Sequence, residues 1–171
     1  LSPRGYAGTV TSTRVYVARL AGCAVFDPLG DRVGRVRDVV VSYRQADAPV
    51  VVGLIVEIPG RRRVFQGINR VTSIRPGQIL TTGILNMRRF EQRAGEVRIF
   101  AELIGRTMTF RDGSGTSMIE DVAIESDALG QWAVSQLYMR RDKSAGLFGK
   151  GPTVFARWED VVDANADTDS Q

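Results

Sequence analysis

The chain aligns with itself. At an offset of 83 residues Leu20 falls on Leu103, Gly22 on Gly105, Gly30 on Gly113, Val36 on Ile119, Asp38 on Asp121, Val39 on Val122 and Val41 on Ile124. Beyond loops of unequal length, 50–57 correspond to 132–139, Val64-Phe65 to Val154-Phe155, and 68–71 to 158–161. Self-similarity of this kind limits the fold more than any other feature, because whatever structure one copy adopts must suit the other.

Each copy reads as β structure. The segments 15–18, 24–26, 36–42, 50–57, 64–65, 78–82, 97–100, 107–111, 117–124, 132–140 and 153–156 are short, rich in β-branched or aromatic residues, and punctuated by Gly, Pro and Asp. Helical periodicity is limited to brief turns within 66–74 and 156–162. In Gly34-Arg35-Val36-Arg37-Asp38-Val39 the alternation places apolar side chains on one face and charges on the other, as in a half-buried sheet. A unit of about 70 residues is small for a full sandwich, and closing a few strands on themselves removes unpaired edges. The expectation is an all-β chain of two small β-barrels in tandem, with minor short helices. Residues 14–87 form the first and 97–163 the second, flanked by an arm (1–13), a connector (88–96) and an acidic tail or linker (164–171). One continuous sheet counts against this expectation.

Composition narrows the chemistry. Hydrophobic residues at 43% and charged residues at 25% suit a globular protein with a core, and no apolar run approaches the ~18 residues of a membrane span. The chain has no His and one Cys, Cys23, which reads as a small buried hydrophobe. Neither a Cys/His zinc site nor a Ser/His or Cys/His nucleophile pair can be built. The acidic pairs Glu120-Asp121 and Glu159-Asp160 are sequence neighbours, which a strand points to opposite faces. Asp163, Asp167 and Asp169 lack a Gly-defined loop to arrange them around a cation. Gly113-Ser114-Gly115 is a hairpin turn and lacks the Lys-Ser/Thr of a phosphate loop. The expectation is therefore a protein that is not an enzyme and that uses no cofactor or metal.

Charge points to a binding surface. Residues 1–99 hold 16 Arg against seven acids, whereas residues 100–171 hold seven Lys and Arg against 12 acids. Within the basic half, Arg61, Arg62 and Arg63 follow Pro59-Gly60 at a hairpin tip, and Arg88, Arg89 and Arg93 lie in the connector. Guanidinium forks suit carboxylates and phosphates, so an acidic protein, an anionic lipid surface and an RNA backbone are all chemically possible partners. An acidic protein partner fits best, because the second half is acidic and aromatic residues do not alternate with Arg as on a base-stacking surface. Leu147 and Phe148, at the tip of a glycine-rich loop, are an apolar pair able to dock to a partner.

The repeated Leu-x-Gly, Gly-turn and Val-x-Asp-Val pattern resembles the PRC-barrel family. The first copy carries it in Ala21-Gly22, Phe26-Asp27-Pro28, Gly30-Asp31 and the run from Val33 to Val41. The second keeps Gly105, Gly113 and Glu120-Asp121-Val122, with Ser117 in place of Gly34. The strings from Val15 to Gly22, Pro59 to Phe65 and Thr81 to Phe90 are similar to the amino-terminal region of actinobacterial magnesium-transporter-like proteins with an MgtE-type intracellular domain and CBS domains. The resemblance implies a cytoplasmic interaction and oligomerisation module, peripheral to the inner membrane. Its partners would be further domains of its own chain or a membrane transporter. The alternative it implies is association with RNA or the ribosome, since the ribosome-maturation factor RimM also ends in a PRC-type barrel.

Overall fold

The computed structural model describes residues 13–45, 47–83, 88–141 and 151–163. The described residues are mostly β, with four single helical turns among them. In the first half the strands are β1 (Arg14–Tyr16), β2 (Ala24–Phe26), β3 (Arg32–Ser42), β4 (Val50–Ile58), β5 (Arg62–Gly67), β6 (Val71–Arg75) and β7 (Gln78–Thr81). In the second they are β8 (Glu96–Arg98), β9 (Thr107–Phe110), β10 (Thr116–Ser126), β11 (Trp132–Arg141), β12 (Thr153–Ala156) and β13 (Val161–Asp163). Helical turns at Val17–Arg19 and Ile99–Leu103 follow β1 and β8, and turns at Ile68–Arg70 and Trp158–Asp160 follow β5 and β12.

The repeat is visible in the hydrogen-bond register. β3 pairs with β4 as β10 pairs with β11: Asp38 lies opposite Ile55 where Asp121 lies opposite Tyr138, and Val39 opposite Leu54 where Val122 is opposite Leu137. Both pairs carry irregularities at the same two places, between Val36 and Asp38 (Ile119 and Asp121) and between Val40 and Val41 (Ala123 and Ile124). An extra residue re-aims every side chain beyond it, so two shared bulges mean two shared shapes. The turn glycines agree as well. Gly22 donates to the Val36 carbonyl as Gly105 does to that of Ile119, both at positive φ, 74° and 90°.

The halves do not, however, form separate sheets. All 13 strands belong to one mixed hydrogen-bonded sheet, so the expectation of two self-contained barrels is corrected. The halves join where β4 and β11 pair antiparallel at Val50 and Ala133, which the registers make equivalent: Val51 lies opposite Val41 as Val134 lies opposite Ile124, so 50–57 correspond to 133–140, one residue on from the 132–139 expected. Equivalent residues facing each other are the mark of a two-fold relation between copies.

The same relation governs the first strand of each repeat. β1 pairs with β10 of the second half, setting Val15 opposite Ile124, and β8 pairs with β3 of the first half, setting Val97 opposite Val41. Each copy thus lends its opening strand to the other. The aspartates that the repeat singled out secure the exchange. Asp38 accepts hydrogen bonds from the backbone N–H groups of Phe100 (2.8 Å) and Ala101 (3.1 Å), in the turn after β8. Asp121 accepts one from Ala18 (3.1 Å), in the turn after β1. Val15, Val17, Leu20, Ile99 and Leu103 carry these turns into one hydrophobic cluster with both halves.

Two local readings differ from expectation. The stretch 66–74 is helical only over Ile68–Arg70, and β6 follows at once, pairing with β7 in a hairpin that packs parallel onto β2. In the second half β13 pairs directly with β9, so the repeat diverges here. Cys23 is buried, with its Sγ accepting from Gly77 N–H.

Candidate anion-binding site

The β4–β5 hairpin turns through Pro59-Gly60-Arg61, where Gly60 and Arg61 both have positive φ, 86° and 57°. A left-handed conformation is natural for glycine and costs roughly 1–2 kcal/mol for an L side chain. Among the described residues Arg61 is the one non-glycine that adopts it. Arg61, Arg62 and Arg63 are all exposed there.

The connector returns to this hairpin. Arg89 bridges to Val64, Phe65 N–H donates to the Arg88 carbonyl (3.1 Å), and the Phe90 ring lies 5.8 Å from that of Phe65. Two arginine clusters, separate in sequence, thereby share one edge. Glu96 orders the connector, since its carboxylate accepts from Arg93 N–H at 2.9 Å. A depression of about 480 Å³ opens between the hairpin and the connector, lined by Arg61, Arg62, Arg63, Arg89 and Arg98 with Ile55, Val64 and Phe90 beneath. Arg88 and Arg93 line an adjoining hollow of about 320 Å³ on the far side of Phe90.

Arg98 was not among the residues singled out from the sequence. It stands on β8, opposite Val40 of β3, and reaches the depression only because β8 crosses to the first half. No local pattern signals that crossing.

Ion pairing sorts the arginines. Glu57 holds both Arg35 and Arg37 at 2.8 Å, and their hydrogen bonds, that from Arg37 foremost, lower its pKa to about 2. Arg98 is paired with Glu102 at 3.1 Å. Among the described residues no carboxylate pairs with Arg61, Arg62, Arg63 or Arg89. Guanidinium groups gathered without counter-charge concentrate positive potential over an apolar floor, and a bidentate oxyanion meets that geometry.

Leu147 and Phe148 lie outside the described residues. Among those described there is no group of three or more His, Cys, Asp or Glu able to hold a metal ion. No helix among them is long and apolar enough to cross a membrane.

No curated protein matches the chain. Residues 97–167 match the family described as the Actinomycetes SH3 domain, so the second half is similar to a small SH3-like β domain. That match overturns the resemblance to PRC-barrels and, with it, the link to magnesium-transporter-like proteins and their MgtE-type and CBS domains. The reason lies in what the shared motif does: Gly22 and Gly105 supply positive φ, and Asp38 and Asp121 cap a neighbouring turn. Small β folds of several kinds need such services, so the motif marks a shape without marking a family.

Proposed function

We propose that the protein is a non-catalytic binding module that holds the carboxylates of an acidic protein partner in the depression between the β4–β5 hairpin and the connector. The observation that carries this is the convergence of Arg61, Arg62, Arg63 and Arg89, none paired with a described carboxylate, around one concave surface. Arg98, tied to Glu102, flanks them. The strained Arg61 supports the same reading, since unfavourable backbone is found where a side chain must be presented. Phe90 and Ile55 give the floor an apolar patch suited to the stem of a Glu side chain.

Binding of a fluorescently labelled Glu-rich peptide to the whole chain tests this. Replacing Arg61, Arg62 and Arg63 by Ser lowers affinity about tenfold and flattens its salt dependence, because partly exposed ion pairs of up to ~1 kcal/mol each are lost. An equal charge change at the exposed Arg19, Arg75 and Arg111 leaves binding unchanged. Equal affinity for all three proteins removes the depression from the reading. Tighter binding of an oligoribonucleotide than of the peptide moves it to nucleic acid.

A further inference from the structure

One edge strand is present in both halves and is treated differently in each. β5 and β12 occupy the same place in the repeat, for Phe65 pairs with Ile55 as Phe155 pairs with Tyr138, and Val64 with Val56 as Val154 with Met139. On β5 the outer edge is taken: the connector supplies Arg89 to bridge Val64, the Arg88 carbonyl to accept from Phe65 N–H, and the Phe90 ring to stack on Phe65. Covered in this way, Val64 is 1% exposed.

On β12 no described residue pairs with the outer edge. The register that turns the Phe65 N–H outward turns that of Phe155 outward too, by equivalence of the two pairings. Val154 is only half-buried, and Phe155 is 57% exposed with its ring against Tyr138 at 5.2 Å. Among the described residues, the second half holds an unfilled copy of a position that the first half fills.

We propose that the outer edge of β12 docks an extended partner segment in which an aromatic residue stands beside basic side chains, the chemistry that Arg88-Arg89-Phe90 brings to β5. The occupant's main chain adds to β12 as a further strand, and its ring stacks on Phe155. The surface is distinct from the arginine depression.

The probe is a synthetic peptide with the sequence of residues 86–93, Asn-Met-Arg-Arg-Phe-Glu-Gln-Arg, titrated into the isotopically labelled whole chain and followed by amide NMR. Saturable shifts are expected at Val154, Phe155 and Tyr138. Phe155→Ala in the protein, or alanine for the peptide's phenylalanine, weakens binding roughly two- to tenfold, the range of one aromatic pair, and Phe155→Tyr restores it. Phe155 is largely exposed, so unchanged shifts elsewhere verify that the alanine variant is folded. Three results overturn the proposal: no saturable shift, shifts centred on Val64 and Phe65, or concentration-dependent dimerisation through β12 without peptide, which makes a second copy the occupant.

Discussion

Asp38 sits 6% exposed under three backbone N–H groups, those of Val39, Phe100 and Ala101, and its carboxylate serves them with both oxygens. Burial dominates its titration and raises its pKa, against the lowering effect of those hydrogen bonds; Asp121 is raised for the same reason. The native state therefore holds these protons more tightly than the unfolded chain, whose aspartates titrate near ~3.9. Their contribution to stability is complete below that value and is lost as pH rises through the raised native pKa. Glu57 has the opposite sign: its pKa of about 2 gives stability that is present above its usual 4.5 and lost as pH falls toward 2. Thermal unfolding measured from pH 2 to 7 separates the two. Asp38→Asn flattens the decline above pH ~4, Glu57→Gln flattens the loss below it, and curves parallel to the parent refute the assignment. At pH 7 Asp38→Asn also costs about 1–3 kcal/mol, because an amide cannot accept with both of its polar atoms and one turn N–H loses its partner.

The β4–β5 hairpin depends on Gly53, which faces Gly67 across the ladder. A Cβ at Gly53 would stand 2.4 Å from the Phe65 ring and 2.5 Å from the Gln66 carbonyl oxygen, and the latter, being backbone, cannot swing aside. Gly53→Ala is expected to destabilise the protein by roughly 1–3 kcal/mol and to loosen the connector, since Phe65 is the surface on which Phe90 rests. Faster amide exchange at Phe65 is the readout, and unchanged exchange there speaks against the role. How far these elements were legible varies with the range of the interactions that make them. The segments 24–26 and 153–156 were found to the residue, because alternation and turn residues are local. β6 and β13 were not read as strands, being short and placed directly after helical turns. Arg61 to Arg63 and Arg88, Arg89 and Arg93 were legible as clusters, but their meeting depends on pairing between Val64 and Arg89. Arg98 was illegible, since its place depends on which copy receives β8.

At the scale of the whole molecule, sequence repeat and structural unit do not coincide. A repeat cannot reveal the exchange of first strands, because β1 and β8 present equivalent residues and either would satisfy either copy; Val15 and Val97 face the equivalent partners Ile124 and Val41. Removing residues 1–16 is therefore expected to harm the second half. The loss of buried Val15 alone costs on the order of 2 kcal/mol. Amides of Ala123 to Glu125 should exchange faster while Val40 to Ser42, still paired with β8, keep their protection; damage confined to the first half contradicts the exchange. The crossing also sets an order of events during synthesis. The side chains of Arg14 and Glu125 that meet across β1 and β10 are separated by 111 residues, and at ribosomal rates of ~5–20 residues per second that interval takes roughly 5–20 s. For that time the nascent chain carries an opening strand whose partner does not yet exist, and the β3 edge waits about half as long for β8. The first half cannot close its β3 edge until β8 has been made, and β1 stays unpaired until β10 follows.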